Sequence, residues 1–186
     1  MAQITITEAL QEIKTIGSRL TKKRESILNY IARDSRIRDP FEKDGGSEKF
    51  ILEERQALSD LESRVVAIRT AIQKSNLNST ITVGSQAKSV AEWLTWRREI
   101  AAGQKQFTTH LATALVNIRQ DIQKKGGRIV AAAAAVAEVV GPSDPVNIVV
   151  NLDERKLLQE QESIEEILGT LDGKLSLFNA TTTIDV

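Results

Sequence analysis

The feature that most constrains this chain is a stretch that occurs twice: a long amphipathic helix pattern running directly into a short β-branched strand. The first copy covers residues 61–83 and ends Asn76-Leu77-Asn78-Ser79-Thr80-Ile81-Thr82-Val83. The second covers residues 164–186 and ends Asn179-Ala180-Thr181-Thr182-Thr183-Ile184-Asp185-Val186. Superposed, Leu61, Val65, Ile68 and Ile72 fall on Ile164, Leu168, Leu171 and Leu175. The duplication also reaches the preceding helices. Thr5-Ile6-Thr7-Glu8-Ala9-Leu10 matches Ser89-Val90-Ala91-Glu92-Trp93-Leu94, and Ile16 falls on Ile100. Both of these openings carry a capping box, Thr5 with Glu8 and Ser89 with Glu92, in which side chain and backbone satisfy each other's free groups.

Each half therefore reads strand, capped helix, loop, helix, strand, over roughly residues 2–83 and 86–186. Two helical hairpins, each apolar along one stripe, bury those stripes against one another. The predicted fold is mainly α: an elongated antiparallel four-helix bundle built from a duplicated helical hairpin, one domain over residues 1–186. The Thr/Ile/Val ends of both halves are predicted to meet at one pole as a small sheet. The loops 34–46 and 126–150 are predicted to project at the other.

Steps of four and three, as in a coiled coil, give the predicted seams. Helix one uses Ile6, Leu10, Ile13, Gly17, Leu20, Arg24, Ile27 and Ile31. Helix two starts near Ser47 and uses Phe50, Ala57, Leu58, Leu61, Val65, Ile68 and Ile72. Helix three runs unbroken from Ser89 to Lys125 through Trp93, Ile100, Phe107, Leu111, Ala114, Ile118 and Ile122, and Gly126-Gly127 stops it. Helix four starts near Asp153 and uses Leu157, Gln161, Ile164, Leu168, Leu171, Leu175 and Phe178. Between the last two helices, residues 128–150 read as a loop or hairpin with extended arms around five alanines, Ala131 to Ala135.

Composition narrows the function. Twenty-five basic and twenty-five acidic residues cancel, so no global field draws the protein to nucleic acid or an anionic membrane. There is no cysteine, which excludes disulfides, thiolate metal sites and cysteine nucleophiles. The first residues lack a signal-peptide pattern, and no apolar run approaches the ~20 residues that span a bilayer. These features suit a soluble protein without a transmembrane segment. Only 4% of residues are aromatic, so the core is expected to be Leu, Ile, Val and Ala.

Catalytic patterns are weak. The one histidine, His110, lacks the Glu-x-x-His spacing of a bundle metal site and lies among Thr108, Thr109 and Thr113 without an orienting acid. The acidic pairs Glu53-Glu54 and Glu165-Glu166 read as solvated faces. The glycine pieces at 44–47 and 124–128 lack the Lys-Ser/Thr of a phosphate loop and read as turns. Lys22-Lys23-Arg24 and Arg97-Arg98 read as charged helix faces, and Trp93 with Trp96 as a seal at the end of a bundle. No enzyme, metal or cofactor is expected.

The alanine-valine connection is different, because small apolar side chains in a long interhelical segment are costly to leave in water. It and the β-rich ends are the expected contacts with partner proteins, either other copies of the chain or other proteins: Ile129, Val130, Val136, Val139, Val140, Ile148, Val150, Ile184 and Val186.

A helix opening Thr-x-x-Glu-Ala-Leu, a second ending Asn-x-Asn-Ser-Thr, a glycine turn and then Ser-Val-Ala-Glu-Trp-Leu-Thr-Trp-Arg-Arg resembles the helical proteins called septicolysin-like, which end in an Asn-x-Thr-Thr tail as Asn179-Ala180-Thr181-Thr182 does here. The chain also resembles uncharacterised proteins of tailed bacteriophages, usually encoded beside structural genes. The alanine-rich connection departs from the bacterial members. The resemblance implies a non-enzymatic, multi-copy role in a phage virion, at the head–tail junction, tail or capsid surface, or alternatively a membrane-active protein. It defines no catalytic residue to carry over.

Overall fold

The computed structural model describes residues 3–131 and 147–186. These residues are mainly α-helical, and among them are three two-stranded sheets. In order, β1 (Gln3–Thr5) leads into α1 (Ile6–Tyr30), and a 3-10 turn (Glu42–Asp44) precedes α2 (Gly46–Asn78). β2 (Thr80–Val83) and β3 (Gln86–Ser89) follow, and then α3 (Val90–Thr95), a π turn (Trp96–Ile100) and α4 (Ala101–Lys124) run on as one helix. β4 (Arg128–Ala131), β5 (Asn147–Val150), α5 (Glu154–Thr181) and β6 (Thr183–Asp185) complete the chain.

The expected capping box opens α1: the Glu8 amide donates to Thr5 Oγ1 at 3.2 Å, and the Thr5 amide donates to Glu8 Oε2 at 2.8 Å. Asp153 caps α5 by accepting from the Arg155 and Lys156 amides. Gly126 closes α4 in the left-handed region at φ 68°, where a side chain would be strained. The Gly127 amide then donates back to the Ile122 carbonyl at 3.0 Å and the Gly126 amide to that of Gln123, a Schellman stop.

Contacts divide the chain into two compact units that interleave along the sequence. One comprises Met1–Thr80, Ser89–Ala91 and Lys174–Val186; the other comprises Ile81–Lys88 and Glu92–Gly173. In the first, α1 and α2 are antiparallel, as the ion pairs Glu12–Arg64 at 2.8 Å and Lys23–Glu54 at 2.7 Å show by their opposite order. Its core is Ile6, Ala9, Ile16, Ile68 and Ile184, with Ile13, Leu20, Leu61, Val65 and Phe178 packed on it. In the second, Arg97–Asp172, Lys105–Glu165 and Arg119–Glu154 tie α4 antiparallel to the N-terminal part of α5. Trp93, Ala101, Leu115, Ile122, Leu157, Ile164, Ile167 and Leu171 are its buried apolar residues in these helices.

The duplication is physical as well as textual. The Ile6 amide donates to the Thr182 carbonyl at 3.0 Å, and its counterpart Val90 donates to Ser79 at 2.9 Å. Thr182 and Ser79 occupy the same place in the two copies, and each amide in turn donates four residues back, to Phe178 and Ser75. The strand pairing repeats too. β6 pairs antiparallel with β1, matching Ile184 to Ile4, and β2 pairs with β3. The two Ile-x-Val strands therefore do not meet in one sheet, as the sequence suggested. Each pairs instead with the strand that leads directly into a long helix.

The β1–β6 pair is thus the β2–β3 hairpin without its covalent turn. A permuted chain, with residue 186 joined to residue 3 through a short Gly-Ser linker and opened between Gly84 and Ser85, should keep native helicity and a cooperative melt. Loss of the cooperative transition, read by circular dichroism, would show that the two joints are not equivalent.

Two seams differ from expectation. On α1 the buried positions are Ile6, Ala9 and Ile16, with Ile13 and Leu20 half-buried, while Leu10 is 43% exposed and Gly17 and Arg24 face water. The stripe steps three then four from Ile6, not four then three, so the apparent breaks at Gly17 and Arg24 are not in the seam at all. On α4 the buried positions are Ala101, Thr108, Leu115 and Ile122; the first three lie one residue past the expected Ile100, Phe107 and Ala114, while Ile122 is buried as expected. The π turn causes this. A π turn holds about one residue more than an α turn, so the phase beyond Ile100 slips by one. In structural terms Ile16 corresponds to Ala101, not Ile100.

Candidate interaction surface

The residues expected to contact partners fall into three groups. Ile184 is 6% exposed within the core of the first unit, and Val186 packs on that core; both side chains serve their own chain. Val136, Val139 and Val140 lie outside the described residues. Ile129, Val130, Ile148 and Val150 come together in one element.

That element begins where Gly126-Gly127 ends α4 and the β-branched run Ile129-Val130 takes over. β4 and β5 pair in parallel, with Arg128, Ile129, Val130 and Ala131 matched to Asn147, Ile148, Val149 and Val150. A hairpin would be antiparallel, so that reading is corrected: parallel strands cannot be joined by a tight turn. Ile129 and Val149 are 38% and 37% exposed, Ile148 and Val150 half-buried. Among the described residues neither outer edge of the pair has a strand neighbour.

The sequence reading missed an ordered tip on the α1–α2 hairpin. Phe41 and Phe50 stack at 4.1 Å between centroids, and Tyr30 meets both edge-on at 4.9 and 5.5 Å. Asp39 ties the turn beneath them, accepting from the Ser47 amide and hydroxyl and from the Phe41 amide at 2.7–2.9 Å. Gly45 and Gly46 take positive φ there. Three of the seven aromatic residues bracket this loop, a signal that charge and turn residues obscured. Leu28, Ile31, Ile37 and Leu52 of the hairpin are each more than half exposed.

Hydrogen bonds from Ser47 and then Phe41, with the Arg33 guanidinium 3.6 Å away, hold the Asp39 carboxyl below the usual carboxylate range. Glu8, bonded by Thr5, and Asp34 and Glu12, bonded by Arg36 and Arg64, are shifted the same way. A depressed folded-state pKa stabilises above the unfolded value and is lost as pH falls through the folded one. The melting temperature should therefore be level above about pH 5 and fall as acid passes the ordinary carboxylate range near 4. Thermal melts from acid to neutral pH check this; a rise on acidification would contradict it.

The remaining candidates behave as charged or packed surfaces. Lys23 and Arg24 pair with Glu54 and Glu62, Arg97 and Arg98 with Asp172 and Glu99. Trp93 is buried, its indole N–H donating to the Ile81 carbonyl at 3.1 Å. His110 is exposed on α4. Among the described residues no group of three or more His, Cys, Asp or Glu is placed to hold a metal ion, and no helix is long and apolar enough to cross a membrane. Compared with known proteins, the chain matches no family model, no curated protein and no solved structure.

Proposed function

We propose that this is a non-enzymatic structural protein that assembles through protein–protein contacts, as a multi-copy component of a tailed-phage virion. The observation that carries the reading is the β4–β5 pair. Parallel strands occur almost only inside larger covered sheets, and a two-stranded sheet is marginal by itself. A neighbour's strand added to a free edge supplies the missing hydrogen bonds and covers Ile129 and Val149. The finer architecture, one antiparallel four-helix bundle formed from the two hairpins, belongs to the same proposal, supported by the matched hydrogen bonds at both helix–strand joints. The phage setting rests on the resemblance of the helix openings and Asn-Thr tails.

Light scattering tests it directly. The chain should form a multiple of 20.5 kDa, and the double variant Ile129→Lys, Val149→Lys should fall to one copy with its helicity intact. A single copy at every concentration, with no binding to capsid or tail proteins, would defeat the proposal. Leakage from lipid vesicles would favour the membrane-active alternative in its place.

A further inference from the structure

The long helix that starts at Val90 carries two apolar stripes one residue apart. Ala101, Thr108 and Leu115 are buried; next to them Ile100, Phe107 and Ala114 are exposed. The choice runs against apolar content: Phe107 is 63% exposed and Thr108 2%. Among the described residues the Thr108 hydroxyl donates to carbonyls of its own helix, those of Gln104 and Lys105. The π turn enforces this choice. Its extra residue rotates all that follows by about one position, roughly 100°.

A wide turn is not tied to one place, since its surplus residue can move along a helix as hydrogen bonds exchange one by one. Shifted beyond Ala114, it would carry Ile100, Phe107 and Ala114 into the places of Ala101, Thr108 and Leu115, and leave Ile122 where it is. There is room for the larger ring: a cleft of about 200 Å³, lined by Thr108, Leu158 and Ile164 among others, borders the Thr108 position. One contact opposes the shift. Trp96 Nε1 donates to Gln104 Oε1 at 2.9 Å, eight residues on and across the wide turn; with the surplus residue between them the two lie near one face of the helix, and without it about 80° apart.

We propose that the π turn is the moving part of a one-residue register switch in α4, latched by the Trp96–Gln104 hydrogen bond, that exchanges the Thr108 face for the Phe107 face. A partner that covers one face holds the helix in the corresponding register.

The chain has no cysteine, so single cysteines report cleanly to a maleimide. Phe107→Cys should label at the rate of an exposed thiol. Thr108→Cys should label at ~1% of that rate, the share of a minor register. Ala9→Cys, in a fully buried site, should be slower again by about a hundredfold, because only larger unfolding exposes it. Adding Gln104→Ala breaks the latch and should raise the Thr108→Cys rate about tenfold. Deleting Arg98 removes the surplus residue and should lower that rate to the Ala9→Cys level. Labelling of Thr108→Cys at the Ala9→Cys level in the otherwise unaltered chain, unmoved by Gln104→Ala, overturns the switch even if the deletion variant does not fold.

Discussion

Replacing Trp93 by alanine should destabilise the protein by about 3–5 kcal/mol, the range for emptying a large aromatic from a core. Three contacts converge on this ring. The indole is fully buried, so its loss leaves a cavity that neighbours only partly refill. Its N–H donates to the Ile81 carbonyl of β2 at 3.1 Å in a partly buried contact, and losing such a bond costs about 0.5–1.5 kcal/mol by itself. Lys88 of β3 lies 4.7 Å from the ring centroid and Trp96 meets it edge-on at 5.7 Å, so one side chain ties both strands of the hairpin to the helix they feed. Trp93→Phe separates the terms. It keeps most of the packing and loses the donor, and should cost about 1–2 kcal/mol. Urea unfolding followed by far-ultraviolet circular dichroism measures both. Equal, small losses for the two variants would mean that the hairpin is held in some other way.

How far the fold could be read from the sequence depended on whether neighbouring residues decided the matter. Helix starts at Thr5 and Asp153, the stop at Gly126 and the strand at Thr80 are local chemistry, and each was legible. Pairing was not. The Thr/Ile/Val strands signalled extended backbone, but their partners β1 and β3 are strands of three and four residues that carry little apolar pattern. Direction failed for a similar reason at β4 and β5: Ile129-Val130 and Ile148-Val149-Val150 mark strands, yet nothing in those residues distinguishes a hairpin from a crossover. On α1 the step from Ile6 to Leu10 looked better than the step to Ala9, since leucine outweighs alanine on any hydrophobicity scale. Close helix packing preferred the small residue inside. The candidate surface divided along the same line, with Ile129 and Val150 placed by local pattern and the Tyr30–Phe41–Phe50 tip assembled from residues twenty positions apart.

Helix three gives the sharpest prediction, because its phase depends on a count of residues and not on their type. From Trp93 to Ala101 is eight residues, which in an unbroken α-helix at about 100° each would place them some 80° apart. Both are nonetheless buried, since the π turn absorbs one. Removing Arg98 makes the interval seven, so a plain α-helix then keeps Ala101, Thr108, Leu115 and Ile122 on the buried side. The deletion should cost within about 1 kcal/mol, the value of the exposed Arg98–Glu99 pair. Inserting one alanine after Thr109 has the opposite consequence. It turns Leu115 and Ile122 toward water and puts Ala114 and Asp121 in their places. Two apolar side chains at about 1.5–3 kcal/mol each, together with a carboxylate brought into an apolar site, should cost at least about 3–5 kcal/mol. Melting curves of the two variants decide the matter: a shorter helix that survives and a longer one that fails follow from the surplus residue, whereas equal losses would mean that the wide turn does not set which face of α4 is buried.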